Sequence, residues 1–217
     1  MTARFDAQLV SRALGAGGWL MLPLFAITFL IWASYLYLLA RFRHDLRGPD
    51  ADDLDLEHVL GQADGTESLC RRLETLPGAV PRLTRAVLER LRLGLPFREA
   101  CSQCRFLEMD ALSGAMLWLA ALVVAAPLLG LLGTVLGMVE TFDAVTLRSG
   151  DAADLVAAGI SRALVTTQTG LLAALPGTFG LAHLYRLYKR LANRLDRCES
   201  HLALVFEHRS PEPRALS

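Results

Sequence analysis

Over three stretches this chain of 217 residues has no aspartate, glutamate, lysine or arginine: between Arg12 and Arg41, between Asp110 and Glu140, and between Arg162 and Arg186, gaps of 28, 29 and 23 residues. A helix of about 20 apolar residues crosses a bilayer core of roughly 30 Å, so each gap is long enough to hold one span. Membrane helices are expected over residues 19–40, 111–139 and 163–185. The first apolar stretch runs well past the roughly 7 to 15 residues of a secretory signal core, which makes it a retained anchor. Net charge is also absent, with 22 basic against 22 acidic residues, and no basic patch is interleaved with aromatics, which argues against nucleic acid as a partner. Cysteine is scarce. Cys101-x-x-Cys104 has neither a second pair nor histidines at ligand spacing, so no metal and no cofactor are expected. No serine–histidine pair, paired aspartates or metal cluster falls at membrane depth, so no catalytic residue is assigned and the chain does not read as an enzyme.

Arginine and lysine set the orientation. Arg41, Arg43 and Arg47 follow the first span, and Arg186, Lys189, Arg190, Arg194 and Arg197 follow the third. The connection between spans two and three instead carries Glu140, Asp143, Asp151 and Asp154 against Arg148 alone. Residues 41–110 and 186–217 are therefore expected in the cytoplasm, with the N-terminus and the loop 140–162 outside. All four cysteines, Cys70, Cys101, Cys104 and Cys198, then lie on the reducing side, which disfavours structural disulfides.

The domain plan follows from these windows. Residues 1–18, with Phe5, Leu9, Val10 and Leu14 near helical spacing, read as an outer amphipathic helix. An acidic stretch from Asp50 to Glu57 breaks the chain after span one. Two short cytoplasmic helices are expected from Thr66 to Leu76 and from Val80 to Leu93, with Pro77-Gly78 turning between them and Gly94-Leu95-Pro96 ending the second. From Phe97 one long helix should run into span two. Beyond span three, Leu184, Tyr188, Leu191, Leu195, Cys198 and Leu202 form a seam for packing against other helices in the cytoplasm, followed by a disordered tail after His208. The fold class is all-α: a three-span membrane protein whose second and third helices extend far into the cytoplasm.

Polar atoms inside the spans are few and clustered. Gly130, Gly133, Thr134, Gly137 and Thr141 recur on one helix face, a pattern that close helix packing explains for the glycines. Thr166, Thr167, Gln168 and Thr169 stand in series, and a buried amide such as that of Gln168 costs several kcal/mol in hydrocarbon unless a protein neighbour or a wet lumen receives it. Thr134 lies six residues inward from Glu140, and Thr167 five inward from Arg162. At 1.5 Å per residue both hydroxyls sit roughly 8 to 9 Å below the outer boundary. The candidate ion path is therefore Thr134 and Thr167 with Gly130, Gly137, Thr166 and Gln168, and Glu140 and Arg162 are the charges at its outer mouth. Such a girdle can solvate a proton or sodium ion but cannot titrate near neutral pH. His183 is too near the cytoplasmic end to serve, and reads as an interfacial side chain. The switching charge must come from another polypeptide.

Two segments, APLLGLLGTVLGMVETF at 126–142 and GISRALVTTQTGLLAALPG at 159–177, resemble the signature helices of the MotA/TolQ/ExbB proton channel family, most closely its ExbB branch. The resemblance implies a homopentamer whose second and third spans line a lumen, in the lipid bilayer of a bacterial inner membrane. It implies an ExbD-like single-span partner bringing the titratable aspartate, and a TonB-like protein energised for outer-membrane transport. It also places Thr134 and Thr167 at the lumen threonines of the family. Where the family shows glutamate in an I-x-E-A-L stretch, this chain has Ile160-Ser161-Arg162-Ala163-Leu164, a reversed charge at the outer mouth. The alternatives are a TolQ-like envelope-maintenance subunit, a MotA-like stator, which the short cytoplasmic loop disfavours, and a non-conducting membrane scaffold.

Overall fold

The computed structural model describes residues 19–50, 65–147 and 152–207, and these are helices joined by short turns. The expected outer helix at 1–18, most of the acidic stretch and the tail after His208 fall outside them. We number the helices α1 (Met21–Leu46), α2 (Gly65–Thr75), α3 (Ala79–Arg92), α4 (Phe97–Leu147) and α5 (Ala152–Glu207). Gly48 and Pro49 follow α1, and a proline there cannot continue a helix. The turn between α2 and α3 holds Gly78 at φ 113°, a left-handed conformation that costs glycine little. At the end of α3, Gly94 has φ 84°. Its amide bonds Leu91 O at 3.0 Å while the Leu95 amide bonds Arg90 O at 3.2 Å, the paired closure of a Schellman motif. Both short helices and both turns lie where the sequence places them, within a residue or two.

α4 has 51 residues and α5 has 56, and each carries an internal proline, Pro127 and Pro176. The segment expected as an outer loop is mostly helical, because α4 continues to Leu147 and α5 starts at Ala152. The charges at Glu140 and Arg162 mark where apolar sequence ends. They do not stop a helix, and no glycine or proline intervenes before Gly150. Among the described residues two helical segments are long and apolar enough to cross a membrane, Met21–Leu46 and Phe97–Asp143. The stretch 163–185 of α5 is free of charge but includes Thr166, Thr167, Gln168, Thr169 and Thr178, which dilute its apolarity.

The chain divides into two compact units, one formed by residues up to Leu36 with Leu117–Ala182, the other by Tyr37–Met116 with His183–Ser217. In the second unit, Leu69 and Leu73 of α2, Leu83, Val87 and Leu88 of α3, Ala100 and Cys104 of α4, and Leu191, Leu195 and Leu202 of α5 are buried. Each buried leucine contributes about 1.5 to 3 kcal/mol. The seam on α5 is Leu184, Leu187, Leu191, Leu195, Cys198 and Leu202. Tyr188, expected in it, is half-exposed, and Leu187 one residue earlier takes its place. A seam spaced by three and four admits either neighbour, and the hydroxyl of tyrosine keeps it at the edge.

Arginines bridge the helices of this unit. The Arg82 guanidinium of α3 donates to Asp45 Oδ1 at 2.9 Å and to both Glu108 oxygens at 3.2 and 3.0 Å, linking α1, α3 and α4. Arg105 of α4 pairs with Asp196 and Glu199 of α5. Arg194 of α5 donates to Leu46 O, Gly48 O and Asp50, closing carbonyls that the end of α1 leaves open. Gly48 lies against the Pro77–Gly78 turn so closely that a Cβ on it would collide with Pro77 O.

Candidate ion-path site

In the first unit α4 and α5 approach through their smallest residues. A Cβ placed on Gly130 would fall 3.1 Å from Thr166 O and 3.3 Å from the Cα of Gly170. One on Gly170 would fall 2.9 Å from Ala126 O, and one on Gly133 2.6 Å from Thr166 Oγ1. A Cβ on Gly137 would lie 3.5 Å from Ala163 Cβ, an ordinary contact, whereas one on Gly159 would collide with the Thr141 side chain. Antiparallel backbones in such proximity need glycine at Gly130, Gly133, Gly159 and Gly170. α1 joins the pair in the same way, since a Cβ on Gly177 would lie 3.1 Å from Ile31 Cγ2, and one on Gly180 2.9 Å from the Tyr35 ring.

This packing sorts the candidate residues into three places. Gly130, Gly137 and Thr166 are buried inside the α4–α5 contact, Thr166 at 3% exposure with its hydroxyl on Ala163 O at 2.8 Å. Thr134 and Thr167 are half-buried at the flank of that contact. Gln168, two residues and about 200° around the helix from Thr166, is exposed on the side away from the contact. The two flanking threonines share a level. Thr167 Oγ1 bonds Gly130 O at 3.3 Å, and that carbonyl is the one the residue 134 amide takes in an α-helix. The counterpart face on α5, Gly159, Ala163, Thr166 and Gly170, is as regular as the one on α4 but was not singled out from sequence. Its signal was the spacing of small residues by four, three and four.

The threonine hydroxyls are already committed as donors. Thr134 Oγ1 donates to Leu131 O at 2.7 Å, Thr167 Oγ1 to Gly130 O with Ala163 O at 3.5 Å, and Thr169 Oγ1 to Val165 O at 2.8 Å. A hydroxyl that spends its proton on a carbonyl still has lone pairs, so Thr134 and Thr167 present acceptors. They fit a species that arrives as a donor or cation: hydronium, a sodium ion, water, or a protonated carboxylic acid. Further along the same helices, about two to three turns short of their ends, Arg162 Nη1 and Glu140 Oε2 are 3.4 Å apart, both exposed. They border an open cavity of about 460 Å³ that Trp19, Leu20, Pro23, Gly133, Leu136 and Gly137 also line.

Outside this unit the other residues weighed from sequence are quiet. Cys101, Cys104 and Cys198 are buried, and burial pushes the Cys101 thiol up to about 12. The Cys198 thiol is also pushed up by burial, against a contact with Thr84 Oγ1 that favours the thiolate, and Cys104 by burial against the adjacent Arg90. His183 is exposed.

Long apolar helices joined by glycine contacts, with outward faces of Leu128, Leu131, Val135, Leu164, Leu172 and Phe179, define an all-helical membrane protein. Residues 96–197 match the MotA/TolQ/ExbB proton channel family. The chain is 33% identical over 153 residues to an ExbB-like biopolymer transport protein (ExbB-like 3) of Synechocystis sp., covering 63% of this chain and 72% of that relative. It is 38% identical over 85 residues to the biopolymer transport protein exbB1 of Vibrio cholerae, and 33% identical over 92 residues to the Tol-Pal system protein TolQ of Haemophilus influenzae. These segments cover 39% and 42% of this chain and 37% of each relative. The chain belongs to the MotA/TolQ/ExbB proton channel family, on its ExbB side.

Proposed function

We propose that this chain is the ExbB-like subunit of an inner-membrane proton channel that uses the proton motive force to energise a TonB-like protein for outer-membrane transport. The observation that carries the reading is the pair Thr134 and Thr167: two hydroxyls at one level, each an acceptor, in stretches without a carboxylate. A protonated aspartate on an ExbD-like single-span helix is the donor they fit. Repeated around a ring, five copies being the natural number for the family, they make a girdle that receives the acid when neutral and offers no charge to trap it. Gly130, Gly137 and Thr166 serve by holding α4 and α5 close, and Gln168 faces the next copy or the passage between copies. Residues 19–40, 111–139 and 163–185 span the bilayer with the N-terminus outside, and α5 owes its lower apolarity to its place inside the ring. Glu140 and Arg162 then stand at the outer mouth.

The relatives support either of two tasks within one mechanism, transport through the outer membrane or a TolQ-like part in envelope maintenance. The test of the shared mechanism is Thr134→Val with Thr167→Val, which keeps shape and removes both acceptors. In vesicles containing the complex with its single-span partner, proton flux driven by a pH gradient should fall at least about tenfold, the size of a lost hydrogen bond to a charged or acidic group, while assembly mass is unchanged. Undiminished flux would favour a non-conducting scaffold.

A further inference from the structure

Where α1 and α5 leave their charge-free stretches, the second unit presents a group of cations that make no ion pair among the described residues. Five of its carboxylates are engaged by other arginines: Asp45 and Glu108 by Arg82, Asp50 by Arg194, Asp196 and Glu199 by Arg105. Arg43, Arg186 and Arg190 are exposed and make no ion pair among the described residues, and Lys189 lies over the Tyr185 ring at 5.0 Å from its centroid. Arg194 ties α5 to Leu46 O and Gly48 O at the end of α1. One turn back from these contacts stand Arg190 on α5 and Arg43 on α1. Arg186 is the first residue past the stretch 163–185, Arg190 lies about 6 Å further, and Arg43 about 4.5 Å past Ala40. A headgroup layer is roughly 5 to 7 Å thick on each side of the hydrocarbon.

We propose that Arg43, Arg186, Lys189 and Arg190 form a binding site for the phosphate of an anionic phospholipid headgroup at the cytoplasmic face. Guanidinium forks match phosphate oxygens in pairs, and clustered basic residues just past a membrane helix attract anionic lipid with strength that grows per charge. An acidic peptide would also answer the charge. The depth favours lipid, since these cations lie within one headgroup thickness of the apolar ends and Arg197, exposed on the same helix, lies about 16 Å beyond Arg186. The site rests on the membrane reading above, because it requires that α1 and α5 both leave the bilayer here.

The full-length protein, extracted in detergent, would be offered equal amounts of dioleoyl phosphatidylglycerol and dioleoyl phosphatidylcholine and weighed intact by native mass spectrometry. Retained phosphatidylglycerol is expected on the wild type, with the triple variant Arg43→Gln, Arg186→Gln, Arg190→Gln holding it on the order of 100-fold more weakly. Arg197→Gln, a single charge removed outside the layer, should retain it as the wild type does. Equal retention of both lipids, or a triple variant indistinguishable from wild type, overturns the site. So does lipid indifference combined with binding of poly-glutamate that the triple variant loses, which would assign the surface to an acidic protein. A wild type recovered in the soluble fraction without detergent would sink the membrane reading itself, a result separable from lost lipid selectivity in a protein that still needs extraction.

Discussion

In the unit containing Thr134 and Thr167, α4 and α5 meet through Gly130, Gly133, Gly137, Gly159, Ala163 and Gly170, while in the other unit the buried residues of the same two helices include Leu112, Leu184, Leu191, Leu195 and Leu202. The first contact gains from close backbone approach and the second from removing large side chains from water. In lipid, leucine is no better placed against leucine than against an acyl chain, so smallness is what a membrane contact can select. In water, each leucine buried adds its transfer free energy. Ion pairs follow the same division. The second unit is crossed by Arg82, Arg105 and Arg194, whereas in the first Arg162 and Glu140 pair on an exposed surface.

The contrast breaks most visibly under changes of size in opposite directions. Gly170→Leu should cost about 3 kcal/mol or more, because the first added carbon would meet Ala126 O at 2.9 Å and Gly130 Cα at 3.1 Å, and backbone atoms cannot turn aside. Leu195→Ala, at a fully buried position, should cost roughly 2 to 5 kcal/mol through the void it leaves. Thermal unfolding in detergent measures both. If Gly170→Leu melted with the wild type, α4 and α5 would not be held as described.

The leucine side of this comparison was legible from sequence, and the glycine side only by half. Leu184, Leu191, Leu195, Cys198 and Leu202 announce themselves by large apolar residues among charges, and Pro77-Gly78 and Gly94 by turn chemistry. The first two charge-free windows overlap the helical segments apolar enough to cross a membrane, Met21–Leu46 and Phe97–Asp143, while the loop expected at 140–162 was drawn too long, since Glu140 and Arg162 change the solvent a helix prefers without ending it. Gly130, Gly133 and Gly137 stood out on α4, whereas the matching spacing of Gly159, Ala163, Thr166 and Gly170 on α5 is obscured by the run of polar residues at 166–169. The same ambiguity put Gly130, Gly137 and Thr166 beside Thr134 and Thr167 in one group. A helix face some 100° wide cannot separate the residues that touch a neighbour from those at its flank. Arg82 with Asp45 and Glu108 joins residues 37 and 26 positions apart, a distance over which no periodicity speaks.

A gentler probe of the second unit uses its thiols. Burial raises the Cys101 thiol from its ordinary value near 9 to about 12, so the folded protein holds that proton where the unfolded chain has lost it. The sign follows: the stabilisation is complete below pH 9 and drains away as pH rises from 9 towards 12, since the unfolded state then binds fewer protons. Maleimide at pH 8 should label Cys101 far more slowly in the folded protein than in denaturant, because the thiolate is the reacting form. Rapid labelling of the folded protein would mean that the core around Ala100, Cys101 and Cys104 opens readily.

The smallest effects should come from the exposed ion pair, and their smallness is informative. Glu140 and Arg162 are 68% and 46% exposed, so Arg162→Gln should change stability by about 0 to 1 kcal/mol and by less in 1 M salt, where charges a few ångströms apart in water are screened. Arg82→Gln is the counterpart. Its partner Asp45 is 2% exposed, and leaving that carboxylate with only the more distant Arg41, 3.7 Å away, should cost about 2 kcal/mol with little dependence on salt. Measured together by chemical unfolding at low and high salt, the two variants separate a pair that stabilises the chain from one whose worth lies in where it stands. A large, salt-resistant loss at Arg162 would place that pair in a dry interface between copies, and the outer mouth would then have to be drawn elsewhere.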